Sequence, residues 1–163
     1  MTRGHSSVSR INASSVFLSH SSKDRNTARC IRDLLQRHGI SVWYSEHKLT
    51  GAVDWHQEIG RALARCTWFV LLLSRNAAKS EWVNREYVYA LDNRRYRDRI
   101  VPVVIGEFDK KMIWAITGVQ RIDLRKRRAK EIQSLLSVWG KSYDGEGFLT
   151  ATRAKIRTRR TRG

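Results

Sequence analysis

The sequence predicts an α/β fold built on one parallel, doubly wound sheet of five strands, and three observations carry that expectation. Short apolar runs alternate with amphipathic helical patterns five times between Ser15 and Val138. One of those runs, Thr67 to Leu73, is apolar almost from end to end, as a central strand covered on both faces must be. Strands that alternate with helices over about 125 residues are joined by right-handed crossovers, which make the sheet parallel and put helices on both of its faces.

Taken in order, Val16-Phe17-Leu18 is the first strand. Asp24 to His38 sets Ala28, Ile31, Leu34 and Leu35 at helical spacing and stops at Gly39, the residue type that most easily takes the left-handed conformation closing a helix. Ile40 to Tyr44 is a second strand, followed by a polar loop. Trp55 to Arg65 places Ile59, Ala62 and Leu63 on one helical face, and Thr67 to Leu73 is the third strand. Ser80, with Glu81 behind it, reads as the N-cap of a third helix that runs to Arg94. Ile100 to Ile105 is a fourth strand, and Pro102 within it implies a strand near a sheet edge or a place in the first residues of the strand. Phe108 to Ile116 is irregular or weakly helical, and Val119 to Leu124 is a short fifth strand. Lys126 to Trp139, with Ile132, Leu135, Leu136 and Trp139 in register, is the last helix. The folded domain is expected over residues 15–140, between disordered segments at 1–14 and, strongly basic, at 141–163.

At 163 residues such a domain buries enough surface to fold without a disulfide or metal staple. The two cysteines, Cys30 and Cys66, lie far apart in stretches that read as helical, which suits buried thiols in a reducing compartment and argues against a zinc site. No apolar run approaches the length of a membrane span, so the chain is expected to be cytoplasmic. Charge is lopsided: residues 121–163 hold 13 of the 32 Lys and Arg residues but 4 of the 15 Asp and Glu residues. Arg125-Lys126-Arg127-Arg128 and the tail from Arg153 to Arg162 would attract nucleic acid or acidic lipid without sequence readout, and they are equally compatible with a solvated tail.

Ligands of doubly wound sheets sit at the carboxyl ends of the strands. That rule gathers Ser19, His20, the loop from Ser45 to Asp54 and the stretch from Ser74 to Glu86 around one crevice. No glycine-rich dinucleotide fingerprint follows the first strand, and Ser74 rather than Asp closes the third, which excludes a conventional Rossmann site and phosphoacceptor chemistry. Trp82 and Glu86, four residues apart, share one helical face directed at the end of the preceding strand. A carboxylate beside an indole is a candidate working group; on spacing alone the pair also fits an exposed Glu near a half-buried Trp.

Three boxes in register with these five units resemble the TIR (Toll/interleukin-1 receptor) domain, and its bacterial members in particular. Val16-Phe17-Leu18-Ser19-His20-Ser21-Ser22-Lys23-Asp24 resembles the family's first box. Lys48-Leu49-Thr50-Gly51-Ala52-Val53-Asp54-Trp55 resembles its BB loop, and Ser74 to Glu86 resembles the segment that carries the catalytic glutamate of NAD-cleaving members. The resemblance covers Val16 to Trp139 and implies a flavodoxin-like TIR fold that cleaves the nicotinamide–ribose bond of NAD+, giving nicotinamide and ADP-ribose or a cyclic form of it. It implies Glu86 as catalytic residue, Ser19, His20, Ser21, Trp55 and Trp82 as substrate-lining residues, and Ser45, Lys48, Leu49, Gly51 and Asp54 as the BB loop. NAD+ enters as substrate, with no cofactor or metal expected. Two departures stand out: Ser45-Glu46 occupies the place where many members have Asp after the second strand, and Ser21 and Ser22 stand where several enzymes carry Arg. Many family members are non-catalytic adaptors that assemble with other TIR domains, so the resemblance leaves an interaction module as the alternative. Homotypic assembly is an expected partnership in either case.

Overall fold

The computed structural model describes residues 14–44 and 52–146, with side chains from His56 onward in the second stretch. Ser45, Lys48, Leu49 and Gly51 of the expected BB loop, most of the expected N-terminal segment and the tail beyond residue 146 lie outside the described residues. The elements are β1 (Ser15–Ser19), α1 (Arg25–Arg37), β2 (Ser41–Tyr44), α2 (Ala52–Arg65), β3 (Trp68–Leu73), α3 (Arg75–Ala78), α4 (Glu81–Asp92), β4 (Ile100–Val104), β5 (Ile122–Asp123) and α5 (Ala129–Ser137). Short 3₁₀ turns cover Ser22–Asp24, Arg94–Tyr96 and Lys110–Ile116. All five strands run parallel in the order β2-β1-β3-β4-β5.

The need for an apolar β3 follows from its place in the sheet. Successive side chains of a strand point to opposite faces, and β3 is covered on both. Val70 and Leu72 pack with Ile31, Leu35, Ile132 and Leu135 of α1 and α5. Phe69, Leu71 and Leu73 pack on the other face with Ile59, Ala77, Val83 and Tyr87 of α2, α3 and α4. β1 divides in the same way, Val16 and Leu18 toward the first layer and Phe17 toward the second. Each such side chain, wholly removed from water, contributes roughly 1.5–3 kcal/mol before the entropy of ordering it is counted.

Several boundaries differ from the sequence expectation for local reasons. Gly39 has φ +79° and follows α1, while its N–H and that of Ile40 bond the Gln36 and Leu35 carbonyls at 3.0 Å, the expected helix stop. The last helix starts at Ala129 rather than Lys126, because a turn with Arg127 at φ +49° precedes it. Cys66 lies between α2 and β3, not on a helix, and is buried; Cys30 is half-buried on α1. The strand that holds Pro102, β4, lies near the sheet edge as expected, with only β5 beyond it. Pairing to β5 begins only at Val103↔Ile122, one residue past the proline, so the missing N–H interrupts no strand pair there. Residues 141–146 continue the packed unit: the Tyr143 N–H bonds Gln133 Oε1 at 2.8 Å, and Arg37 pairs with Asp144 at 2.8 Å.

Candidate active site

The carboxyl edge of the sheet is polar where the rest of the interior is apolar. Among the described residues, Ser19, His20, Ser21, Ser74 and Glu86 are the buried polar or charged side chains, and all five come from strand ends or the segments that follow them. Ser80 caps α4 as expected, its hydroxyl accepting the Val83 N–H at 3.3 Å. The cap fixes the phase of the helix. Val83, Tyr87 and Ala90 then face the core, and Glu86 is carried inward with them to 4% exposure.

Glu86 does not meet the end of β3, the strand before its helix. Its Oε2 accepts a hydrogen bond from Ser19 Oγ at 2.5 Å, at the end of β1. The four-residue α3 intervenes between β3 and α4, and α4 packs its apolar face on Phe17 of β1 as well as Phe69 and Leu71 of β3. The other oxygen, Oε1, accepts the indole Nε1–H of Trp82 at 2.6 Å, joining the two residues that sequence spacing placed on one face. Burial pushes the Glu86 carboxyl up from its ordinary 4.5 to about 7, against the opposing pull of the Ser19 and Trp82 hydrogen bonds. Trp82 is half-buried, with the His56 ring tilted against it at 5.1 Å.

The remaining expected residues divide. His20 is buried and stacks on Tyr44 at 4.6 Å with the rings nearly parallel, its Nδ1 3.3 Å from the Leu18 carbonyl. That contact makes it a wall between β1 and β2. The Ser21 hydroxyl accepts the Lys23 N–H and caps the 3₁₀ turn Ser22–Asp24. Asp54 and Trp55 lie within α2, which starts at Ala52, and their side chains are outside the described residues. Because β2 pairs with β1 and ends at Tyr44 opposite Leu18, the chain leaves β2 at the same edge as Ser19.

Sequence reasoning passed over a second carboxylate at this edge. Asp24 accepts from Ser74 Oγ at 2.5 Å and from Asn76 Nδ2 at 2.8 Å, while Ser74 Oγ also accepts the Ala77 N–H at 3.0 Å as the cap of α3. The signal was available: Ser74 directly after an apolar strand is an N-cap residue type. An open groove of about 1180 Å³ lies at the carboxyl ends of β4 and β5, lined by Arg75, Lys79, Phe108, Arg121 and Arg125 among others; Glu86 does not border it. The groove's volume therefore says nothing about the carboxylate, and the Ser19–Glu86–Trp82 geometry is the stronger pointer to chemistry. Among the described residues no three His, Cys, Asp or Glu side chains gather as a metal site would require, and no helix is long and apolar enough to cross a membrane.

A parallel 2-1-3-4-5 sheet with a glutamate held at the end of β1 fits the family whose boxes the sequence resembles, and the family model described as "TIR domain" matches residues 16–136. The chain belongs to the TIR domain family. This TIR domain is 26% identical over 90 residues to the probable 2' cyclic ADP-D-ribose synthase TcpO of Methanobrevibacter olleyae, a stretch covering 55% of this chain and 26% of that protein. It is 32% identical over 72 residues to the 2' cyclic ADP-D-ribose synthase AbTIR of Acinetobacter baumannii, covering 44% of this chain and 27% of the relative. It is 28% identical over 90 residues to the NAD(+) hydrolase TcpC of Escherichia coli, covering 53% and 29%. The TIR domain thus matches between 26% and 29% of the length of these curated relatives.

Proposed function

We propose that this TIR domain is an NAD+ nucleosidase that breaks the nicotinamide–ribose bond, with Glu86 as the catalytic carboxylate. The observation that carries the reading is a buried glutamate whose two oxygens are each held by a donor, at the strand-end edge where doubly wound sheets bind ligands. Relatives named as an NAD(+) hydrolase and as cyclic ADP-D-ribose synthases support the substrate class.

Nicotinamide leaves as a neutral molecule from a cationic ring nitrogen, so departure needs no strong acid. The bonding pair of the glycosidic bond goes to that nitrogen, and positive charge develops on the ribose. Glu86 stabilises that charge, with Ser19 and Trp82 fixing where its oxygens point. Burial serves this purpose, because a carboxylate poorly solvated by water has more to gain from an arriving cation than an exposed one. Water then adds to the anomeric carbon and loses a proton, giving ADP-ribose; attack by a hydroxyl of the same molecule gives the cyclic form. A module serving only for assembly would have no use for a carboxylate whose ionisation the fold resists. In this reading Ser21 lines the substrate side with Ser19, and a neighbouring TIR domain closes the crevice.

The test is nicotinamide release from NAD+ by the purified chain and by Glu86→Gln, with Glu81→Gln as control, since Glu81 is exposed on the first turn of α4. Losing a preorganised charge lowers turnover about a hundredfold to a thousandfold. A Gln variant within about threefold of the wild type refutes the assignment and returns the adaptor reading.

A further inference from the structure

The end of the sheet opposite Glu86 carries a surface that the proposed reaction does not use. Between α4 and β4 the chain reads Asn93-Arg94-Arg95-Tyr96-Arg97-Asp98-Arg99, and the four arginines are exposed. They stand on a fixed platform. Tyr96 at their centre is fully buried, and its hydroxyl donates to the Leu63 carbonyl at 2.6 Å, pinning the turn to the last turns of α2. Asn93 caps the turn by accepting the Arg95 N–H at 3.0 Å, and the Arg99 guanidinium lies over the Trp68 ring at 6.0 Å. Arg61 and Arg65 are exposed on α2, the helix to which the turn is pinned. Among the described residues, Arg94, Arg95, Arg97 and Arg99 enter no ion pair with an acid.

Beside this turn lies a cleft of about 460 Å³, rimmed by Arg94 and Arg97 together with Asp92 and Asp98, and walled by Leu91, Ile100, Ile116 and Val119. The 3₁₀ segment that supplies Ile116 also presents Trp114, which is 76% exposed, the most exposed of the large hydrophobic side chains. Exposed guanidinium groups on a pinned turn, beside a cleft with one apolar wall and an exposed indole, match the needs of an unpaired polynucleotide. Its phosphates take the forked donors, and its bases stack on the aromatic face or enter the cleft. A duplex hides its base faces and would leave the cleft and the indole unused. A membrane surface would use the charge but not the cleft.

We infer that the Arg94–Arg99 turn, the adjoining cleft and Trp114 form a binding face for single-stranded nucleic acid, separate from the Glu86 site. The face precedes β4 and so lies at the amino edge of the parallel sheet, whereas Ser19 and Glu86 lie at the carboxyl edge.

The test uses the full chain with its basic tail, so that tail binding is common to every variant. Affinity for a labelled oligothymidylate of about twelve nucleotides and for a duplex of the same length is measured at several salt concentrations. Arg94→Ala with Arg97→Ala is expected to flatten the single-strand log-log salt slope by about 1.4, at roughly 0.7 per phosphate contact. Trp114→Ala is expected to weaken single-strand binding about tenfold while keeping the slope, because stacking is uncharged. The wild type should prefer the single strand to the duplex. Melting curves of both variants should match wild type, since the altered residues are exposed. An unchanged slope in the arginine variant, an unchanged affinity in Trp114→Ala, or capture by phosphatidylserine vesicles without oligonucleotide binding would each overturn the proposal.

Discussion

Replacing Glu86 by Gln removes a buried charge while leaving the shape of its site, and the effect on stability can be worked from its surroundings. The amide oxygen can accept the Trp82 Nε1–H in place of Oε1, and the amide NH₂ can donate to Ser19 Oγ once that hydroxyl turns. The variant therefore keeps two hydrogen bonds and loses the ionisation. In the wild type, burial raises the carboxyl to about 7 from its ordinary 4.5, so the folded state holds its proton across a pH range in which the unfolded chain has released it. The stability this contributes is fully present below pH 4.5 and is lost as pH rises through 7. Between pH 5 and pH 8 the loss is about 2–3 kcal/mol. For a domain of this size that is roughly 5–10 °C in melting temperature. Turnover moves the other way: the ionised form is the active one, so kcat/KM should climb about tenfold per unit below pH 7 and level off above it. The assay is a pair of thermal melts, wild type and Glu86→Gln, at pH 5 and at pH 8. Other titrating groups cancel in the comparison, and the wild type should lose its advantage, or deepen its deficit, at pH 8 by the stated amount. A wild-type-minus-variant difference that is the same at both pH values would show that Glu86 ionises as freely as an exposed glutamate, and the argument from burial to catalysis would fail with it.

Ser19→Ala removes a hydrogen bond that lowers the Glu86 pKa, so the midpoint of the kcat/KM profile should move to higher pH, with activity largely recovered near pH 9; an unshifted midpoint would mean that Ser19 does not tune the carboxylate. Asp24→Ala strands the Ser74 and Asn76 donors and should cost about 2 kcal/mol in a urea melt, a loss that an effect within 0.5 kcal/mol of zero would contradict. Gly39→Ala, at φ +79° with no crowding around the added carbon, should cost about 1–2 kcal/mol from backbone strain alone, and a neutral result would show that the turn relaxes. If a second TIR domain closes the crevice, specific activity should rise with protein concentration; a constant value over about a hundredfold range would remove the assembly requirement.

The sequence was most legible where one residue type had one physical use. An all-apolar β3 between helical patterns implied a covered central strand, and it splits its side chains between two layers. Ser80 as a cap fixed the phase of α4, and that phase carries Glu86 inward beside Trp82. What could not be read from local pattern was which strand end the carboxylate meets. α3 is a single turn of four residues, too short to leave a helical period in the sequence, and Glu86 on the helix after it takes its hydrogen bond from Ser19 at the end of β1. Asp24 escaped notice for a related reason. Its partners Ser74 and Asn76 are about fifty residues away, and only the parallel pairing of β1 with β3 brings the two connections together. Pro102 was legible as well: it marked a strand near the sheet edge, and β4 lies beside the two-residue edge strand β5.

The two carboxylates of this edge show how burial divides labour between groups of the same chemistry. Asp24 and Glu86 each accept two side-chain hydrogen bonds, and each ties together segments distant in sequence. Asp24 is half-buried and its donors come from the α3 turn, so its bonds fix the connection after β1 to the connection after β3. That is a structural clamp, and its removal should register first in stability. Glu86 is taken almost wholly out of water, and two neutral donors do not offset the loss, since its pKa remains raised to about 7. A fold under selection for stability alone would gain by placing a leucine or a methionine there. Retaining an under-compensated charge makes physical sense if a cation arrives to complete it, and in the proposed reaction a ribose losing nicotinamide would supply that cation for the lifetime of the transition state.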